Sequence, residues 1–272
     1  MKDSILILCG DKRSTELCRL LETEDRPVRH IPALPNDGKL RSAIEQAKVI
    51  VLPTPVSRGT FLAGDNTLTP WKTVFSCFTE KQHVFGGGFS NEQKTALQAR
   101  TVICTDFLDS ERFVRFNAAL TAQGALRLVL EQTETYLPQQ LVLVAGFGNV
   151  GQAVASWLCG VGCRCTVAAR NETQRVAAKA TGCGAMTLDE AKRTLSQFDV
   201  LINTIPAIWL SQKSLSETKP GGIYLELASA PFGAEQEDVE RHGMCYIDGK
   251  GLPGRFCPQA AAIAMKNCID AT

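Results

Sequence analysis

No stretch of this sequence approaches the roughly 20 apolar residues of a membrane span. The apolar run around Ile5 and Cys9 is too short for the core of a secretion signal, and Asp11, Lys12 and Arg13 follow it at once. These two absences set the expectation of a cytoplasmic chain with no membrane contact. Charge of one sign is missing too. The formal net charge is +1, with no block of like charges, which removes the basic groove that a nucleic-acid partner needs. Histidine is scarce, three in 272 residues, and no arginine, glutamate and histidine relay of a 2-hydroxyacid dehydrogenase is evident.

Cysteine is plentiful instead, with eleven. An odd count without a secretion signal argues against a disulfide framework. Cys163 and Cys165 are two apart and share a strand face, but no C-x-x-C pair or histidine-containing cluster accompanies them. The expectation is therefore no metal, with the thiols acting as small core side chains.

Strand and helix patterns alternate. SILILCG (residues 4–10), AKVIVLPTP (47–55), HVFGGGF and TVICTDF (101–107) read as strands, and DKRSTELCRLLET as a helix with Leu17, Leu20 and Leu21 on one face. WKTVFSCF is open between helix and loop. A long helical pattern runs from Phe116 to about Tyr136, stopped by Pro138. Beyond it, LVLVAGFG, CRCTVAAR (163–170), DVLINTIP (199–206), GGIYLELAS (221–229) and MCYIDG (244–249) read as about five strands, with a short further candidate at Ala185 to Thr187. The fold class is α/β: two Rossmann-like domains, each with a mostly parallel sheet, joined by a long connector helix. Residues 1–116 form the substrate-side domain, completed by a C-terminal helix at 256–272; residues 117–255 carry the connector and the nucleotide-binding domain.

The sharpest motif is GFGNVG, residues 146–151, between a strand and a helix. Gly146 permits a tight turn, Gly148 lets the backbone approach a pyrophosphate, and Gly151 lets the helix pack on the strand. Phe147, Asn149 and Val150 complete the turn, whose helix N-terminus offers amides to phosphates. NAD-binding forms usually place an acid at the end of the next strand; here stand Ala169, Arg170 and Asn171. An arginine pairs with a 2′-phosphate where a carboxylate would repel it, so the expected cofactor is NADP. Asn203, Thr204, Ile205 and Pro206, Ala228 with Ser229 and Ala230, and the Gly249 to Gly254 turn with Pro253 are candidates for the nicotinamide end.

INTIPAIWLSQKSL, LELAS with its following proline, GLPGRFCPQAAA, the CTVAAR strand and Gly124 in AQGALRLVL resemble the A-subunit family of dipicolinate synthase. The resemblance is clearest over residues 117–268. ILCGDKR and VIVLPTPVSRGT extend it into the first domain. It implies a catalytic cleft between two domains, and oxidation of a dihydrodipicolinate-level lysine precursor to pyridine-2,6-dicarboxylate with NADP+ as hydride acceptor. It also implies a role in endospores and a flavoprotein-like B subunit. A homo-oligomer is expected.

A dicarboxylate needs cations, hydroxyls or amides around it. Thr54, Ser57 and Arg58, with Lys250 and Arg255, are the candidates, and Gly10 and Asp11 could line the same place. No general base stands out; Asp11 and His83 are the candidates available. Two alternatives stay open: another two-domain NAD(P)-dependent dehydrogenase of a small acid, and a non-catalytic NADP-binding regulatory subunit.

Overall fold

Every residue of the first strand, β1 (Ile5–Leu8), is apolar and buried, as a strand covered on both faces of a parallel sheet must be. In the computed structural model, which describes residues 4–35, 38–64 and 66–272, the chain divides into two units, Met1–Asn117 with Pro253–Thr272, and Ala118–Leu252. The first unit continues with α1 (Lys12–Glu22), β2 (Val28–Ile31), α2 (Lys39–Gln46), β3 (Val49–Val51), a small hairpin of β4 (Ser57–Arg58) and β5 (Phe61–Leu62), α3 (Trp71–Phe75), β6 (His83–Gly86), α4 (Asn91–Gln98) and β7 (Ile103–Asp106). Its main sheet has the order β2-β1-β3-β6-β7, all parallel, the flavodoxin-like order.

WKTVFSCF resolves as helix because Trp71, Val74 and Phe75 face the core. The unforeseen strand β2 lies at the sheet edge, where Arg29 is exposed and Val28 and His30 half-buried, so no apolar run marks it. Phe85, Phe107, Phe113, Leu17, Leu21, Ala262 and Met265 pack one face of this sheet.

The connector α5 (Glu111–Gln132) starts and ends earlier than the pattern suggested. Ser110 Oγ accepts from the Phe113 amide at its start; at its end Thr133 Oγ1 donates back to the Val129 carbonyl. Pro138 stands beyond it in a short 3-10 turn.

The second unit contains β8 (Leu141–Ala145), α6 (Asn149–Gly160), β9 (Arg164–Ala168), α7 (Glu172–Ala180), β10 (Gly184–Met186), α8 (Leu188–Arg193), β11 (Val200–Asn203), α9 (Gln212–Leu215), β12 (Ile223–Glu226), α10 (Gln236–Arg241) and β13 (Cys245–Asp248). Six parallel strands, the short candidate near Ala185 among them as β10, take the order β10-β9-β8-β11-β12-β13. This is the doubly wound 3-2-1-4-5-6 order. GLPGRF is α11 (Leu252–Phe256) rather than a turn, with Pro253 in its first turn where a missing N–H is harmless. The last helix is α12 (Pro258–Asp270), packed on α1 within the first unit. Among the described residues no helix is long and apolar enough to cross a membrane.

Candidate functional site

A parallel α/β sheet opens a crevice beyond the carboxyl ends of its strands where the strand order reverses. In the second unit that point lies between β8 and β11. Gly146 leaves β8 at φ +94°, and its amide donates to the Ala168 carbonyl at 2.8 Å. A Cβ there would collide with the Thr204 hydroxyl, which itself donates to the Ala145 carbonyl at 2.7 Å. A Cβ at Gly151 would strike the Gly146 carbonyl. The fold itself thus requires these two glycines.

Gly148 is different. It caps α6 at φ −80°, an ordinary value, and a Cβ built on it meets nothing within 4 Å. The protein has no steric need of glycine there, whereas a group seated against the backbone does. Among the described residues no side chain caps the first turn of α6, begun by Asn149 and Val150, so its amides face that space. Gln152 Nε2 holds the turn by donating to the Phe147 carbonyl at 3.1 Å, and the Phe147 ring is buried. A pyrophosphate fits this cradle in shape and in charge.

At the end of β9 Ala169 is buried, while Arg170 is exposed and no carboxylate among the described residues pairs with it. Arg175, which sequence reasoning missed, donates from Nη1 to the Ala169 and Arg170 carbonyls at 2.9 and 2.8 Å. It thereby fixes the backbone that presents Arg170. Asn171 Oδ1 caps α7 by accepting from the Gln174 amide at 2.7 Å, which leaves Nδ2 as its donor group.

Beneath the turns after β11 and β12 lies a buried network that joins Asn203 to Glu226, a residue the sequence did not single out. Glu226 Oε1 accepts from Asn203 Nδ2 at 2.7 Å and from the Ala228 amide at 2.8 Å; Oε2 accepts from the Gly233 amide at 2.9 Å and from Tyr224 at 3.1 Å. Asn203 Oδ1 in turn accepts from the Ile205 amide and from Trp209 Nε1. Burial keeps the Glu226 carboxyl above its ordinary range although these donors pull the other way. The network shapes the turn of Thr204, half-buried Ile205 and exposed Pro206. Ala228 is 6% exposed with its amide already bonded, so it supports this turn rather than offering a donor to a ligand.

In the first unit the order reverses between β1 and β3. Gly10 follows β1 at φ +95°, then Asp11 caps α1 by accepting from the Arg13 amide at 2.9 Å. Arg13 grips both Asp11 oxygens through Nε and Nη2 and donates from Nη2 to the Thr54 carbonyl at 2.6 Å. Gly254 is seated so close to the Asp11 carboxylate that a Cβ would collide with it. The Thr54 hydroxyl is buried without a hydrogen-bond partner among the described residues. Ser57 Oγ accepts from buried Gln93 at 2.8 Å, and Arg58 beside it is exposed.

This arrangement gathers Asp11 and Thr54 around Arg13, a residue the sequence did not single out. His83 does not join them. It is the first residue of β6, in register with Val49 and Ile103, and so lies at the amino end of the sheet. Its Nε2 bonds to Thr105 Oγ1 at 2.8 Å, its ring stacks on Phe85, and burial lowers its pKa. Lys250, in the second unit, is engaged with Asp248 at 3.4 Å and lies over the Phe232 ring. Pro253 belongs to the first unit, not to the unit of the dinucleotide turn, and Arg255 there lies over the Phe256 ring.

The fold also assembles thiols that the sequence left scattered. Cys159, Cys165 and Cys183 place their sulfurs within 4.8 Å of one another. Hydrogen bonding from Cys165 and then Cys159 lowers the Cys183 thiol to about 6, while burial pushes Cys159 up to about 11.

Residues 107–236 match the family D-isomer specific 2-hydroxyacid dehydrogenase, NAD binding domain. The dipicolinate synthase A subunit of Bacillus subtilis (strain 168) is 25% identical over 280 residues, 98% of this chain and 94% of that protein. The chain is similar along its whole length to the A subunit of dipicolinate synthase. A crystal structure of that subunit from Bacillus halodurans superposes with a TM-score of 0.82 at 21% identity, covering 99% of this chain and 97% of the other. A transhydrogenase from Sinorhizobium meliloti shares the fold at a TM-score of 0.67 and 13% identity, covering 98% and 93%. The cradle and the family match give a nicotinamide-dinucleotide-binding unit of dehydrogenase type, within a chain that resembles the dipicolinate synthase A subunit.

Proposed function

We propose that this chain is the oxidising subunit of a dipicolinate synthase, converting a dihydrodipicolinate-level substrate into pyridine-2,6-dicarboxylate with NADP+. The observation that carries the reading is the likeness to the synthase's A subunit over 98% of the chain. Bound NADP+ supplies the hydride acceptor. The protein's own part is positioning. Amides of the uncapped first turn of α6, beside Gly148, hold the pyrophosphate. Arg170 pairs with the 2′-phosphate while Arg175 fixes its backbone. The turn of Thr204, Ile205 and Pro206, held from below by Asn203 and Glu226, bounds the nicotinamide.

Aromatisation makes the oxidation strongly downhill. The substrate gives a hydride to NADP+ and a proton to water, so orientation matters more than a strong base. The two substrate carboxylates call for cations and hydroxyls, which Arg58, Thr54 and Ser57 of the first unit supply. A flavoprotein-like B subunit works with it, and the chain is a cytoplasmic homo-oligomer serving sporulation.

The test mixes the chain with a candidate B subunit, dihydrodipicolinate made in situ and NADP+, and follows the absorbance of pyridine dicarboxylate. Product is expected; none with or without the B subunit sinks the proposal. The match to 2-hydroxyacid dehydrogenases favours a second reading, oxidation of a small hydroxy acid. That reading needs a histidine paired with a carboxylate. Yet among the described residues the hydrogen bonds of the three histidines run to the Cys9 carbonyl, Thr105 Oγ1 and the Asp238 carbonyl.

A further inference from the structure

The three converging sulfurs come from three different elements. Cys159 lies in the last turn of α6, Cys165 in β9, and Cys183 between α7 and β10. Cys159 Sγ and Cys183 Sγ are 3.4 Å apart, and each of the three sulfurs is within 4.8 Å of the others. Three thiolates around an ion at the zinc–sulfur distance of about 2.3 Å stand roughly 3.8–4.0 Å apart. The Cys159–Cys183 separation is slightly shorter than the side of that triangle and no pair exceeds 4.8 Å, so small side-chain rotations admit an ion.

Small core side chains need only interleave, and one neighbouring thiol does so. Cys163, two residues before Cys165, directs its sulfur to the Leu137 carbonyl at 3.8 Å. Cys165 and Cys183 are buried and Cys159 half-buried, which leaves one side of the triangle within reach of water. That side can provide the fourth position of a tetrahedral ion. Among the described residues no carboxylate or imidazole belongs to the cluster, and an all-sulfur set selects soft ions over magnesium or calcium.

We propose that Cys159, Cys165 and Cys183 form a thiolate site for one soft, thiophilic metal ion of the zinc class. Binding exchanges the remaining thiol protons for the ion and changes no oxidation state. The site lies away from the glycine turn, at the opposite end of α6. There the ion clamps α6, β9 and the α7–β10 link, the elements that frame the cradle and Arg170. Its role is structural.

The test uses the full chain, reduced and oxygen-free. Zn2+ competed against a chromophoric chelator is expected to bind at one ion per chain. Co2+ in its place should give thiolate-to-metal charge transfer and tetrahedral d–d bands, and Mg2+ should give no binding. Cys159→Ser, Cys165→Ser and Cys183→Ser should each weaken Zn2+ binding by on the order of 100-fold or more, beyond the 10- to 100-fold loss from an outer partner. Cys163→Ser should leave it unchanged. A second readout needs no variant: Zn2+ should shield these three thiols, among the eleven, from alkylation as mapped by mass spectrometry. Absence of stoichiometric binding, equal weakening by Cys163→Ser, or protection of other thiols would overturn the proposal.

Discussion

Asn203 Nδ2 donates to Glu226 Oε1 at 2.7 Å where neither residue has any exposed surface. The bond joins the ends of neighbouring strands β11 and β12, so the turns beyond them hold their places relative to each other. Desolvation raises the Glu226 pKa above its ordinary range. The folded protein therefore keeps this proton to a higher pH than the unfolded chain does. The resulting stabilisation is complete below the ordinary glutamate range and is lost as pH rises through the raised value. Glu226→Gln should abolish that decline. Urea midpoints measured across a pH series check this, and equal pH slopes in both proteins would count against it.

Gly148 and Gly151 separate binding from folding. Gly148→Ala meets no atom within 4 Å, so thermal stability should stay within about 1 kcal/mol of the parent while NADPH affinity falls steeply. Gly151→Ala drives a methyl into the Gly146 carbonyl, and about 1–3 kcal/mol of stability should go with it. Cofactor fluorescence titrations beside melting curves read the two effects. Retention of full NADPH affinity by Gly148→Ala would show that the open space is not the phosphate cradle.

The strand, turn and helix around GFGNVG were legible in the sequence because the three are contiguous. What escaped was set by distant partners. Arg13 gains its role from a carbonyl 41 residues away, and Cys159 meets Cys183 only because α6 and β10 flank β9. Glu226 sat inside an apolar strand pattern that gave no hint of its four donors. Arg175 looks like any solvated helix arginine until the Ala169 and Arg170 carbonyls turn toward it. His83 misled for the converse reason: a residue next to a strand can lie at either end of the sheet, and only register decides which.

Arg170→Asp tests the cofactor choice. The guanidinium is exposed, so its pairing with a 2′-phosphate should contribute about 1.5 kcal/mol, the low end for a charge-assisted hydrogen bond. NADP+ affinity should drop roughly tenfold or more while NAD+ affinity changes little, with a smaller difference at high salt. Equal weakening of both cofactors would remove the basis for NADP.

Asp11 offers the clearest separation of a chemical role from a positioning role. Both its oxygens face the Arg13 guanidinium, one also accepts the Arg13 amide, and the Arg13 side chain is only 10% exposed. Asp11→Asn retains the helix cap but leaves that guanidinium without its counter-charge. The Asp11 side chain is itself 42% exposed, so the loss should be about 1–2 kcal/mol, below that of a fully buried pair. Arg13 also holds the Thr54 carbonyl, so its loosening should raise KM for the dicarboxylate more than it lowers kcat. A proton acceptor would behave in the opposite way, with kcat collapsing, KM unchanged and the acid limb gone from the pH profile. Steady-state kinetics across pH, paired with urea unfolding of the same variant, distinguishes the two: an intact fold with abolished turnover would make Asp11 the base and refute its assignment as the anchor of Arg13.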